Sequence, residues 1–262
     1  MTGTTSGIDL AADSKRTAMA SILWSHGSAQ LTSLVLGVPD HLALHYLHEP
    51  GAKVAIDSPL GWPVDFVDFV TAHDENRLLQ VNLDLGSPMD SEGNPGQKST
   101  WRRPLANRTT DMYVRQSMPL VPLSVSTDRI AHVAMRAARL MAHCSRDIRR
   151  DGAGDIVEAY PAASLFRWRL PYRGYKGAAH HGVRTTMVDD LLHQMPWLEV
   201  SDDKRRKLVE SDDLLDAFVS ALTARAVVLG ATEWPIDECT SDRAQREGWI
   251  HLPTIEPAQV VG

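Results

Sequence analysis

A chain of 262 residues has room for one large domain or two small ones, and its 43% apolar and 23% charged residues are ordinary for a globular protein. No apolar run approaches the roughly 20 residues needed to cross a bilayer, so no membrane association is expected. The formal net charge of −6 argues against a broad nucleic-acid-binding face, leaves room for a local basic groove, and suits a protein that gathers carboxylates around a cation.

In chain order, 5–11 reads as a strand with Asp9 near its end, 17–24 as a second strand and 30–36 as a third. A helix is expected over 40–47. Residues 53–57 form a short apolar run that again stops on an acid, Asp57, before the turn-rich Ser58-Pro59-Leu60-Gly61-Trp62-Pro63. The stretch from 86 to 107 is rich in Gly, Pro, Ser and Asn and lacks periodicity, so an irregular loop or insertion is expected over about 86–120. Ser126-Thr127-Asp128 is expected to cap a helix whose apolar positions run from Ile130 to Met141 at helical spacing. A short strand over 155–159, ending near Glu158, is closed by Pro161. Short helices follow at 187–195 and 204–209, then a long one from 211 to 230, and a last strand is expected at 248–253. Strands and helices in this order make an α/β domain, with short apolar strands such as 53–57 at the covered centre of the sheet.

Asp9, Asp57 and Glu158 each lie at the end of a short apolar strand, where open α/β sheets build their sites. Each alone is as well explained by a turn or a cap. The helix at 211 adds three acids. Ser211, Asp212 and Asp213 suit an N-terminus, with the serine as cap and the acids against the helix dipole. Asp216 is not explained that way, and Asp213 and Asp216, three apart, share a face. Carboxylates without neighbouring Cys or paired His favour Mg²⁺ or Mn²⁺ over zinc. His180-His181 reads as loop surface. The two cysteines, Cys144 and Cys239, form no CxxC pair, and the polar start of the chain has no basic or apolar leader segment, so a cytoplasmic location is expected.

Five motifs occur in order: Gly7-Ile8-Asp9-Leu10-Ala11, Ala55-Ile56-Asp57-Ser58-Pro59-Leu60-Gly61, Arg108-Thr109-Thr110-Asp111, Val157-Glu158-Ala159-Tyr160-Pro161-Ala162-Ala163 and Asp212-Asp213-Leu214-Leu215-Asp216-Ala217. Together they resemble the family of predicted RNase H-like nucleases catalogued as domain of unknown function 429, over nearly the whole chain. The resemblance implies a single ribonuclease H-like domain over 1–262: a mixed sheet of three antiparallel strands leading into parallel ones, flanked by helices, with a long insertion after the fourth strand. It implies a metal-dependent nuclease whose ligands and catalytic residues are Asp9, Asp57, Glu158, Asp213 and Asp216. Phosphodiester hydrolysis would use two cations about 3.5–4 Å apart, one acidifying a water and one stabilising the leaving oxygen.

A nuclease must also hold phosphates, and Arg108, Arg173 and Lys176 are the expected substrate-binding residues. The segment from Arg167 to Lys176 interleaves cations with aromatics, a mixture that contacts phosphates and stacks bases. Arg108 and Asp111 could instead pair with each other and brace the site. The expected partner is nucleic acid, DNA or RNA undecided; the oligomeric state is open, with a homodimer among the options. Two alternatives stand beside the nuclease. One is a non-catalytic metal-binding or scaffold domain of the same fold. The other is an actin- or sugar-kinase-like ATPase, disfavoured because no Gly-x-Gly run follows Asp9.

Overall fold

The computed structural model describes residues 2–78, 101–146 and 148–262. Six strands form one mixed sheet: β1 (Gly3–Asp9), β2 (Ala18–Ser25), β3 (Ser28–Leu36), β4 (Lys53–Asp57), β5 (Ile156–Glu158) and β6 (Leu198–Glu199), in the order β5-β4-β1-β2-β3-β6. β1, β2 and β3 make an antiparallel meander, while β4 pairs parallel to β1, β5 to β4 and β6 to β3. The expected mixed α/β architecture is therefore present. No helix among the described residues is long and apolar enough to cross a membrane.

Side chains alternate across the sheet, so each strand supplies two cores. Ile8, Leu10, Met19, Val54, Ile56 and Ile156 face one way, against helices α1 (Asp40–Leu47) and α5 (Ile130–Ala142). The opposite face carries Thr5, Gly7, Asp9, Ala55 and Asp57, and it meets α9 (Asp212–Val228). Every residue of α9 from Leu214 to Val227 is buried, as expected of a helix enclosed on all sides. Its outer side is covered by α6 (Pro161–Arg167), α7 (His181–Gln194) and α8 (Asp202–Glu210).

Gly7 sets the distance between sheet and helix. A Cβ there would collide with the Ala217 carbonyl oxygen and the Ala221 amide nitrogen, so the two backbones approach closely only because glycine stands at this position. The contact is continued by Thr5, whose hydroxyl donates to the Ala221 carbonyl at 2.9 Å.

The irregular stretch expected over 86–120 lies outside the described residues up to 100. From there on it is helical: Arg102–Ala106 (α3) and Thr109–Ser117 (α4). α3 forms inside the 86–107 span whose composition suggested a loop, past its last glycine at Gly96, and α4 lies beyond that span. Ser126-Thr127-Asp128 does not cap α5, which begins at Ile130; Asp128 Oδ2 instead accepts from the Ser124 amide at 2.8 Å and closes its own turn. The last strand expected at 248–253 is reduced to isolated bridges, Ile250 to Glu158 and Pro253 to Thr232, because the Ile250 amide donates to the Thr110 hydroxyl rather than to a ladder.

One buried acid ties the helices beside β4 together. Glu247, in α10 (Glu238–Glu247), accepts from the Val64 amide (2.9 Å) at the start of α2 (Val64–Asp74) and from the Thr109 amide (2.7 Å) at the start of α4. Two helix N-termini thus share one carboxylate.

Substituting Gly7 by alanine is expected to destabilise the fold by on the order of 3 kcal/mol, because the obstacle is helix backbone and cannot rotate away. Urea denaturation of the variant against wild type measures this.

Candidate metal centre

Asp9 and Asp57 end two adjacent parallel strands and are direct partners in the β1–β4 register. Both point to the α9 face, where Asp216 lies one turn inside the helix, 1% exposed. One carboxylate oxygen from each of Asp9, Asp57 and Asp216 lies within 4.8 Å of the others. The Gly7 approach makes this possible, since Gly7 and Asp9 share a strand face and Asp216 adjoins Ala217.

Two neighbours hold Asp216 in place. Tyr175 Oη donates to Oδ1 at 2.7 Å, and Lys176 Nζ pairs with Oδ2 at 2.7 Å. The backbone carrying these two is clamped by buried Arg184, which donates to the carbonyls of Tyr175 (2.6 Å), Gly177 (2.7 Å) and Val209 (2.7 Å). The lysine side chain remains 59% exposed along its length, while its ammonium is drawn in against the acids.

Burial and mutual repulsion shape the ionisation of the three acids. Burial first, then Asp216 and Asp57, hold Asp9 well above the usual carboxylate range. Burial pushes Asp57 up to about 7, with Lys176 opposing and Asp216 reinforcing the shift. Asp216 is raised by burial against the opposition of Lys176 and Tyr175. For Lys176, burial disfavours the charged form, but Asp216 and Asp57 outweigh it and keep the ammonium protonated. Fully ionised, three carboxylates and one ammonium carry a net charge of −2, the complement of one divalent cation. The all-oxygen donor set suits Mg²⁺ or Mn²⁺.

Two acids expected in this group stand apart from it. Glu158 is the register partner of Ile56, so it projects to the sheet face opposite Asp57. There its two oxygens receive Arg108 Nη1 and Nη2, both at 2.7 Å, and the Leu60 amide at 3.0 Å. Asp213 reaches the helix surface and pairs with Arg16 at 2.8 Å, the arginine being 68% exposed.

The expected phosphate-binding residues divide similarly. Arg108 is not available: its guanidinium is 2% exposed and also donates to Asp111 and to the Glu247 carbonyl, as in the bracing arrangement weighed from the sequence. Arg173 is exposed, donates to the Pro119 carbonyl and lies 5.3 Å from the Tyr172 ring centroid. Of the other cations in its segment, Arg167 pairs with Glu233 and Arg169 with Glu256. Lys176 alone of the three expected residues joins the acid cluster. Tyr175 was not singled out in the sequence, although its position beside Lys176 in the aromatic–basic segment was the available signal.

Replacing Arg108 by methionine would leave Glu158 and Asp111 buried without their partner, and is expected to cost about 3–5 kcal/mol of stability by urea denaturation. The acid cluster also predicts a pH dependence. Asp57 is raised from an unfolded value near 3.8 to about 7, so its folded form binds the extra proton and its stabilising contribution is lost as pH rises through that window. His251, lowered by burial to about 4, acts in the opposite sense between about 4 and 6.5. Comparison with Asp57→Asn isolates the first effect: relative to that variant, the metal-free wild-type chain is expected to lose melting temperature from pH 5 to 8, and Mn²⁺ to restore it.

No curated protein and no solved structure matches this chain. A family model described as protein of unknown function (DUF429) matches residues 7–240, a span that contains all three clustered acids, and the chain belongs to that family.

Proposed function

We propose that the protein is a metal-dependent nuclease of ribonuclease H-like fold, hydrolysing phosphodiester bonds with Mg²⁺ or Mn²⁺ held by Asp9, Asp57 and Asp216. The convergence of these three acids within 4.8 Å carries the reading. The fold assignment is supported by the antiparallel β1–β3 meander running into parallel β4 and β5, with acids on the first and fourth strands and on a late helix. The two free cysteines fit the cytoplasmic setting this function implies.

A cation in this cluster supplies Lewis-acid stabilisation of phosphoryl charge and acidifies water. The chain's own residues orient and neutralise. Asp9 and Asp57 are fixed by strand register. Tyr175 and Lys176 orient Asp216, and each of its oxygens keeps a lone pair for a cation. Lys176, its side chain partly exposed, offers positive charge to a phosphate arriving over the acids. A two-cation mechanism would require Asp213 to leave Arg16, or Glu158 to leave Arg108. Asp213, at the surface, is the cheaper to release, because an exposed ion pair is worth roughly 0–1 kcal/mol.

A non-catalytic metal-binding domain is the second reading, favoured by the net charge of −6 and by the pairing of Arg108, Arg167 and Arg169 with carboxylates, which takes up cations that a phosphate backbone would need. Cleavage assays on single-stranded, branched and RNA–DNA hybrid substrates with Mn²⁺ separate the two. The nuclease is expected to cut at least one, with Asp9→Asn and Asp216→Asn slowing cleavage by about 100-fold or more while remaining folded. Glu158→Gln is expected to leave Mn²⁺ affinity unchanged. Wild-type cleavage rates in the two aspartate variants would overturn the assignment, and inactivity on every substrate with Mn²⁺ bound would favour the second reading.

A further inference from the structure

Beside the acid cluster opens a cavity of about 290 Å³. Asp57 and Lys176 form part of its wall, so the cavity and the cluster share two side chains. Much of the rest is apolar: Pro122, Leu123 and Ile130 line it together with Tyr160. Leu123 is 58% exposed, an apolar side chain left at the edge of an apolar recess. Tyr160 is partly buried, lies within the influence of Asp57 and Lys176, and its hydroxyl forms no hydrogen bond with another described residue.

We propose that this cavity seats one unpaired nucleobase of the substrate, and so that the protein acts on nucleotides at strand ends, in single strands or extruded from a helix. The proposal rests on the nuclease reading for its choice of ligand, because a phosphodiester held over Asp57 and Lys176 places a base about one sugar away. Apolar walls and a tyrosine suit the face of a base, which is sequence-tolerant in its stacking. The phenol, without a hydrogen-bond partner among the described residues, supplies a polar contact for a base edge. The cavity lies at the small end of ligand sites, which run from about 300 to 1,000 Å³. A base seated in this recess, beside a phosphodiester held over Asp57 and Lys176, no longer lies between its neighbours, so a base within a continuous duplex must leave the stack to enter.

Calorimetric titration with the four common nucleosides, without metal, reads the cavity alone; titration with Mn²⁺ alone reads the acid cluster. At least one nucleoside is expected to bind, and Leu123→Asp to weaken it about tenfold, with Tyr160→Phe in the same direction. Both variants are expected to keep wild-type Mn²⁺ affinity, whereas Asp57→Asn is expected to lose it. A labelled single-stranded oligonucleotide is expected to bind at least about tenfold more tightly than the same strand annealed. The proposal is overturned if no nucleoside binds, if Leu123→Asp binds as wild type, or if duplex and single strand bind equally. Nucleoside binding without Mn²⁺ binding would sustain the cavity and sink the metal reading instead.

Discussion

The close approach of sheet and helix at Gly7 is the constraint on which the remaining geometry depends. A strand and a helix packed through ordinary side chains stand apart by the depth of those side chains. At Gly7 that depth is removed, and β1 lies against the backbone of α9 at Ala217 and Ala221. Asp9, two residues along the same strand face, is thereby carried to Asp216, while the parallel register brings Asp57 alongside. Packing and the candidate chemistry are therefore one arrangement. The three carboxylates could not be drawn apart without reopening the core that α9 fills.

Two buried networks of charge lie beside this point, and they differ in kind. Arg108 is buried with Glu158 and Asp111, both carboxylates hydrogen-bonded to its one guanidinium, and it joins β5, α4 and α10. Such a network specifies structure and leaves nothing over for a ligand. The Asp9–Asp57–Asp216 group has three negative charges against a single ammonium, an imbalance that the fold sustains only by protonation or by a cation. The contrast separates the bracing acids from the candidate ligands more clearly than burial does, since both groups are enclosed.

Much of the sheet was legible in the sequence. The runs at 40–47 and 53–57 correspond to α1 and β4 residue for residue, and the acids at strand ends marked the right edge of the sheet. Glu158 shows why the site itself was only partly legible. Its motif places it at a strand end like Asp57, but the β4–β5 register pairs it with Ile56, and a one-residue offset sends it to the other face. Register arises between strands, so neither segment alone carries that information. Asp213 and Asp216 share a helical face on spacing, yet Asp213 lies on the first turn, within reach of Arg16 from a distant loop. Lys176 and Tyr175 reach Asp216 across 40 and 41 positions of chain, through a loop that Arg184 clamps, which no local pattern announces.

Glu247 has a consequence for the chain between the fourth and fifth strands. The segment leaves the core through α2 and returns through α4, and the starts of both helices are anchored on this one carboxylate. Whatever length of polypeptide lies between them is tethered at a common post. The two helix starts are thereby held at a fixed separation beside β4, whose last residue is Asp57, and one side chain serves as the hinge pin for both.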